Sequence, residues 1–153
     1  MVILPYSHMK KTLHFSIDIN ASKEHVWNAM LGEETYRKWA SVFMEGSHYK
    51  GSWDKGSSIH FIAPNGDGMA SEIAENIPYS FVSVRHIGFI QNGVVDTTSE
   101  AIKAWLPAYE NYTFTEQNGV TTVNIDLDVT EDFEKDMAAM WPKALEKLKE
   151  ICE

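Results

Sequence analysis

Hydrophobic and polar residues alternate strictly over residues 12–20, near the start of the chain. The apolar members of this run are Leu13, Phe15, Ile17 and Ile19. A period of two places successive side chains on opposite faces of an extended backbone, so that one face can be buried while the other meets water. The pattern therefore predicts a β-strand with one buried face.

Two short helices are predicted directly after this strand. Ser22 is suited to accept a hydrogen bond from the first free backbone amides of a helix, and the apolar residues behind it recur at helical spacing. These residues are Val26, Trp27, Met30 and Leu31. We expect Gly32 to end the first helix in a left-handed conformation, and residues 33–39 to form a second short helix or a turn.

Strand-like segments separated by turn-forming residues fill the middle of the chain. The segments expected to be strands are residues 45–53, 57–63, 69–76, 81–90, 109–117 and 120–129. The dipeptide Asn118-Gly119 between the last two is typical of a tight hairpin turn. Residues 97–105 are compatible with either a short helix capped by Ser99 or an ordered loop.

The remaining residues predict one long amphipathic helix. Thr130 stands at its start as a cap, acidic residues follow in the first turn, and lysines lie toward its end, as the helix dipole favours. Its apolar stripe consists of Phe133, Met137, Met140, Trp141, Ala144, Leu145 and Leu148. About 20 helical residues span about 30 Å, enough to cross several strands. Because Pro142 removes an amide donor, we expect a kink there or, alternatively, two helices that meet at Pro142.

These elements predict an α+β fold, in which the long C-terminal helix packs across a curved antiparallel sheet. A chain of 153 residues has the size of one domain. We expect residues 10–153 to form that domain. Residues 1–9 are interpreted as an N-terminal extension or the remnant of a tag, because Ser7-His8-Met9 is compatible with a cloning scar. They lack the basic start and the long apolar stretch of a secretory signal, so we do not expect secretion.

Composition disfavours several classes of partner. Thirteen basic and 22 acidic side chains give a formal net charge of -9, which would repel nucleic-acid phosphates and anionic lipids, so we expect neither a nucleic acid nor a membrane as partner. No apolar run approaches the roughly 20 residues needed to cross a bilayer. Cys152 is the only cysteine, so no internal disulfide can form, and we expect a cytoplasmic location.

Short stretches of the chain resemble one protein superfamily. The strand and helix of residues 17–27, with the pair Val26-Trp27, are similar to the opening of proteins related to the activator of the Hsp90 ATPase. Further stretches that look like bacterial members of this group are residues 86–88, 92–93, 105, 110–114 and 141–145. The group belongs to the START-like, or Bet v 1-like (SRPBCC), superfamily. The resemblance implies a helix-grip fold with an internal cavity. Members include lipid carriers, hormone receptors and cyclases, so the resemblance implies no common catalytic residues.

No metal, cofactor or catalytic group is predicted from the residues. The six histidines are not spaced like a strand or helix chelate, and a single cysteine cannot build a thiolate site. The sequence contains no nucleophile elbow and no phosphate-binding glycine loop. Nucleophilic and nucleotide chemistry therefore have no support in the sequence.

Arg85 and His86 are candidate polar groups of the interior, because they interrupt an otherwise apolar strand. Adjacent strand residues point to opposite faces, so one of the two must point inward. Glu72 and Glu110, on neighbouring strands, are suited to pair with it. The inward residue either orients a ligand or transfers a proton, or it is a hydrogen-bonded core residue without such a role.

Aromatic residues and methionines could line a pocket for an apolar ligand, or they could fill a closed core. The candidate ligand-binding residues are Trp53, Phe61, Arg85, His86, Glu110, Tyr112, Met137, Met140 and Trp141. The leading hypothesis is a protein that binds a small apolar or aromatic molecule between the C-terminal helix and the sheet. The alternatives are a small enzyme of the cyclase or hydratase type that uses the same cavity, and a module similar to a chaperone regulator that binds a protein partner.

Overall fold

The structure of the protein is a computed structural model that describes residues 9–153. The predicted N-terminal extension therefore lies outside the described part, apart from Met9. Within that part the strands are β1 (Lys10–Ile19), β2 (His48–Gly51), β3 (Ser58–Ile62), β4 (Gly68–Ile77), β5 (Phe81–Gln91), β6 (Val94–Asp96), β7 (Ala108–Gln117) and β8 (Val120–Thr130). The helices are α1 (Lys23–Leu31), α2 (Glu33–Ala40), α3 (Glu100–Trp105) and α4 (Glu131–Cys152).

All described strands belong to one antiparallel sheet, and the predicted α+β helix-grip fold is confirmed. The order across the sheet is β1-β8-β7-β5-β4-β3-β2, and β6 pairs with the end of β5. The first strand lies at an edge and pairs with β8 over its whole length. The alternation read from the sequence is confirmed there, because Leu13, Phe15 and Ile17 pack against the core while their neighbours are exposed.

The two short helices form as predicted, but they join differently. The Ser22 hydroxyl accepts a hydrogen bond from the His25 amide at 3.2 Å, which confirms the cap. The expected left-handed end at Gly32 is wrong, because Gly32 has φ -63° and ψ 142°, an extended conformation. A Cβ at Gly32 would lie 2.6 Å from the Asn28 carbonyl oxygen and 2.8 Å from the Thr35 hydroxyl. Lack of space, and not a positive φ, requires glycine at this junction.

The two regions of the middle of the chain that were hardest to predict are the shortest helix and the shortest strand. Residues 100–105 form the helix α3, so the alternative of an ordered loop is wrong. The strand β6 was not predicted, since three residues are too few to show an alternation. The turn before it brings β6 alongside β5. In this turn Asn92 and Gly93 have φ of 52° and 77°, as a tight hairpin turn requires.

The C-terminal helix is continuous from Glu131 to Cys152 with Pro142 inside it, so the alternative of two separate helices is wrong. The kink stays a prediction. Thr130 occupies the cap position but its side chain makes no cap hydrogen bond. The first amide of the helix, that of Glu131, donates instead to the Met9 carbonyl at 3.0 Å.

Only the second half of α4 is buried. Trp141, Ala144, Leu145 and Leu148 belong to the core, whereas the Phe133 side chain is 49% exposed. The helix packs on β1, β8, α1 and α2. The predicted apolar stripe is thus covered at its C-terminal end and open to solvent at its N-terminal end. Among residues 9–153, no helix combines the length and the apolar character of a membrane span.

Candidate functional site

Arg85 and His86 lie on opposite faces of β5, and each takes one of the two predicted partners. His86 points inward, is 1% exposed, and lies 3.4 Å from a Glu110 oxygen through Nε2. Arg85 points to the outer face, where its Nε donates to Glu72 at 2.9 Å. The structure therefore places His86 and Glu110 together inside the sheet, and it does not bring Arg85 to them.

Four buried side chains form a connected set of hydrogen bonds on the inner face of the sheet, which we call the polar network. Its members are Ser71, His86, Glu110 and Tyr112. The Ser71 hydroxyl oxygen lies 2.7 Å from His86 Nδ1, because the two residues pair across β4 and β5 just after a register shift. The Tyr112 hydroxyl donates to the second carboxylate oxygen of Glu110.

The carboxylate of Glu110 sits in apolar surroundings. Its neighbours in the same row of the sheet are Val84 on β5 and Leu127 on β8. Burial, followed by the charge of Glu110, raises the pKa of the phenols of Tyr112 and Tyr36. The carboxylate therefore acts on a side chain of α2 as well as on one of its own strand.

A closed circuit of aromatic rings, which we call the aromatic cage, lies against the polar network. Its members in circuit order are Tyr36, Trp39, Trp141, Tyr112, Trp53 and Phe61. The centroids of consecutive rings are between 4.9 and 6.3 Å apart, within the usual range of aromatic contacts. Tyr112 belongs to both sets, and the ring of Phe61 lies 6.2 Å from that of His86.

Two indole nitrogens of the aromatic cage differ in their bonding. Trp39 Nε1 donates to the Met30 carbonyl at 3.0 Å, which fixes its ring against α1. Trp53 Nε1 is buried and has no hydrogen-bond partner among the described residues. A buried donor without a partner is uncommon in folded proteins. Burial raises the pKa of the Tyr49 phenol, and an interaction with the Trp53 side chain opposes this shift, so the Tyr49 hydroxyl lies near this N–H group.

Most of the residues that the sequence suggested are brought together. Trp53, Phe61, Tyr112 and Trp141 belong to the aromatic cage, and His86 and Glu110 to the polar network. Met137 is half-buried and packs on the core. Met140 is also half-buried but is not one of the side chains packed on that core.

Sequence reasoning missed three members of the site. Tyr36 and Trp39 are three residues apart on α2, and this helical spacing was a usable indication that both face the core. Ser71 gave no such indication, because its contact with His86 depends on the register between two strands.

Two open depressions lie outside the aromatic cage. One, of about 410 Å³, is on the outer face of the sheet and is lined by His14, Phe15, Ser16, Thr113, Asn124 and Asp126. The other, of about 310 Å³, is lined by Arg85, His86, Ile87, Lys103, Leu106 and Pro107. The ring of Trp105, from α3, stacks on His86 at 5.0 Å. Within residues 9–153, no group of acidic, histidine or cysteine side chains is arranged to hold a metal ion.

Comparison with known protein families identifies the family of this chain. Residues 20–153 match the family described as Activator of Hsp90 ATPase homolog 1-like protein. The chain belongs to this family. The helix-grip fold and the resemblance noted for residues 17–27 agree with that membership, which places the protein in the START-like, or Bet v 1-like, group. Among curated proteins, no significant match to the sequence is found.

Solved structures share the fold at low sequence identity. The Aha1 dimer from Colwellia psychrerythraea is 20% identical with a TM-score of 0.69, over 94% of this chain and 96% of that chain. Protein MLL2253 from Mesorhizobium loti is 16% identical with a TM-score of 0.69, over 92% and 96%. DynU16, described as a putative protein in the dynemicin biosynthetic locus, is 17% identical with a TM-score of 0.67; the match covers 91% of this chain but 46% of DynU16. At such identities the likeness concerns the fold.

Proposed function

We propose that the protein binds a small, largely apolar aromatic molecule within the aromatic cage, between α4 and the sheet. The observation that supports this proposal is the contact between a closed circuit of six aromatic side chains and a buried polar network. Small-molecule sites typically combine apolar and aromatic walls with a few convergent polar groups. The family to which the chain belongs has a fold that is compatible with such binding.

The polar network has a cost that a purely structural core would avoid. Burying a carboxylate and an imidazole costs free energy that hydrogen bonds offset only in part, and apolar side chains of similar volume would fill the same space without it. Glu110 is 8% exposed. Its carboxylate offers an acceptor to a bound molecule.

The ligand would replace ring-to-ring contacts, since the cage rings touch one another in the structure described here. We propose that the first half of α4 moves to admit it. The first half of α4 is less buried than the second half, because the Phe133 side chain is 49% exposed and those of Met137 and Met140 are half-buried. Segments with few buried apolar contacts open at the smallest free-energy cost.

The test measures binding of a neutral aromatic probe, 3-methylindole, by the shifts of indole N–H signals in nuclear magnetic resonance spectra. We expect the signals of Trp53 and Trp141 to move on addition of the probe. Replacing Trp53→Ala removes one wall of the cage and should weaken binding at least tenfold. Phe133→Ala is the matched control, because it removes an exposed aromatic ring outside the cage and should change the affinity less than twofold.

Extraction of the purified protein followed by mass spectrometry provides a second measurement. A small apolar molecule released in stoichiometric amount from the wild type, and lost in Trp53→Ala, would support the proposal. Failure of 3-methylindole to shift Trp53 or Trp141, together with the absence of any co-purified molecule, would overturn it.

A second candidate function is an enzyme that uses the same site for proton transfer. The observation in its favour is the convergence of His86 and Glu110, which lie 3.4 Å apart with little exposure. Two ionisable groups beside a ligand site can act as general acid and base. Chemical conversion of the co-purified molecule by fresh protein would favour this candidate, whereas its return unchanged favours simple binding.

A further inference from the structure

Glu110 is buried without a lysine or arginine partner. In the part of the chain from Met9 to Glu153, no lysine or arginine forms an ion pair with this carboxylate, and its one basic contact is His86. The other hydrogen bond to it comes from the neutral Tyr112 hydroxyl. A buried anion of this kind is stabilised most strongly by a cation.

His86 does not need a second proton to satisfy its hydrogen bonds. The Ser71 hydroxyl lies 2.7 Å from Nδ1 and can donate to it, while a proton on Nε2 points to Glu110. In this tautomer both ring nitrogens of the neutral imidazole have partners. With the imidazole neutral in this tautomer, the hydrogen bonds of the polar network bring no positive charge to Glu110.

The aromatic cage adds a second reason to expect a cation. The face of an aromatic ring carries negative charge and attracts an ammonium group, with tryptophan the strongest of the three ring types. Three of the six cage residues are tryptophans: Trp39, Trp53 and Trp141. Tyr112 joins the two sets, because its ring belongs to the cage while its hydroxyl donates to the carboxylate. An ammonium group at Glu110 would therefore lie at the boundary between the carboxylate and the aromatic cage.

We infer that the ligand of the aromatic cage is an organic cation, an aromatic body that carries a protonated amine, with the amine bound by Glu110. This inference rests on the proposed function and specifies its ligand class. A carboxylic acid in the same place would bring two negative charges together, and a neutral ligand would leave the buried charge without a partner. The formal net charge of -9 would also favour the approach of a cation.

Three indole probes that differ mainly in charge test the inference. They are tryptamine, which carries an ammonium group, 3-methylindole, which is neutral, and indole-3-propionate, which carries a carboxylate. Dissociation constants are measured from indole N–H shifts at neutral pH and at two salt concentrations, so that loose attraction to the acidic surface is recognised by its salt dependence. We expect tryptamine to bind at least tenfold more tightly than 3-methylindole, and indole-3-propionate more weakly than either.

The variant Glu110→Gln keeps the shape of the side chain and an acceptor for the Tyr112 hydroxyl but removes the charge. We expect it to weaken the binding of tryptamine at least tenfold more than the binding of 3-methylindole, because only tryptamine carries a charge for Glu110 to bind. Glu146→Gln is the matched control, because it removes the same charge from an exposed position on α4 and should leave both affinities unchanged. The probe comparison on the wild type needs no variant and stands even if Glu110→Gln does not fold.

The outcomes separate the two proposals. If 3-methylindole binds in the cage as tightly as tryptamine, or if Glu110→Gln leaves tryptamine binding intact, the inference is wrong while the proposed function stands. If none of the three probes shifts Trp53 or Trp141, and no molecule co-purifies with the protein, both are wrong. A tryptamine affinity that Glu146→Gln lowers as much as Glu110→Gln would assign the effect to surface charge and would also overturn the inference.

Discussion

At the scale of single residues, strand geometry showed that one of Arg85 and His86 is buried, and the pairing register of the strands decided which one. Adjacent residues of a strand must point to opposite faces, so the sequence alone required one of Arg85 and His86 to be buried. Which one is buried follows from the pairing of β5 with β4 and β7, which sets His86 opposite Ser71 and Ala108 on the inner face. Arg85 then meets Glu72 on the outer face. Local pattern could not supply that choice.

The buried phenols predict a dependence of stability on alkaline pH. Burial, then the charge of Glu110, raises the pKa of Tyr36 above that of an unfolded tyrosine, near 10. Because the folded-state pKa is the higher one, the stabilisation is complete below about pH 10 and is lost as the pH rises above it. We expect the free energy of unfolding of the wild type to fall in this range, with Tyr36 contributing up to about 1.4 kcal/mol per pH unit.

Urea unfolding at a series of pH values from about 9 to 12 measures this slope. Tyr36→Phe should make the decline shallower than in the wild type. Tyr79→Phe, which alters a more exposed ring, serves as the comparison. Equal slopes for the two variants would contradict the assignment to a buried phenol.

At the scale of elements, periodicity identified the long segments and failed at short ones and at junctions. The strand β1 and the helix α4 each show many repeats of their period, so their type was clear from the sequence. β6 has three residues and depends on a turn and a partner strand. The sequence also did not show which part of α4 is buried. Phe133 and Leu148 belong to the same apolar stripe, but only Leu148 is buried in the core.

The junction between α1 and α2 predicts a large effect of one methyl group. Gly32→Ala would place a Cβ 2.6 Å from the Asn28 carbonyl oxygen, so the backbone or its neighbours must shift. We expect the free energy of unfolding to fall by about 1–3 kcal/mol, as for other overpacked sites. Glu33→Ala, at the next and exposed position, is the control, with an expected change within about 0.5 kcal/mol. Similar urea midpoints for the two variants would refute the steric requirement.

At the scale of the whole molecule, one core joins elements from both ends of the chain. The aromatic cage draws Tyr36 and Trp39 from α2, Phe61 from β3, Tyr112 from β7 and Trp141 from α4. These elements are far apart in sequence and adjacent only after the sheet forms. A fold assembled in this way is expected to unfold as one unit.

The core leucine Leu145 of α4 tests this cooperativity. Leu145→Ala leaves a cavity among core residues, since Leu145 is 2% exposed, and should lower the free energy of unfolding by about 2–5 kcal/mol. We expect tryptophan fluorescence and far-ultraviolet circular dichroism to shift to the same lower urea midpoint. Loss of the fluorescence transition while the circular dichroism of the sheet persists would show that α4 unfolds separately, contrary to a single domain of residues 10–153.

The sequence by itself determined the types of the long elements, their order and the family, because these depend on residue periods and short motifs that are local in the chain. It also named most of the side chains that the interior brings together. Only the tertiary structure decided which of Arg85 and His86 is buried, that Ser71 joins the polar network, and that α2 closes the aromatic cage. The spacing of Tyr36 and Trp39 indicates that both face the core, but it does not show which rings they meet there. Strand register and contacts between distant segments decide these features, and neither leaves a periodic trace in the sequence.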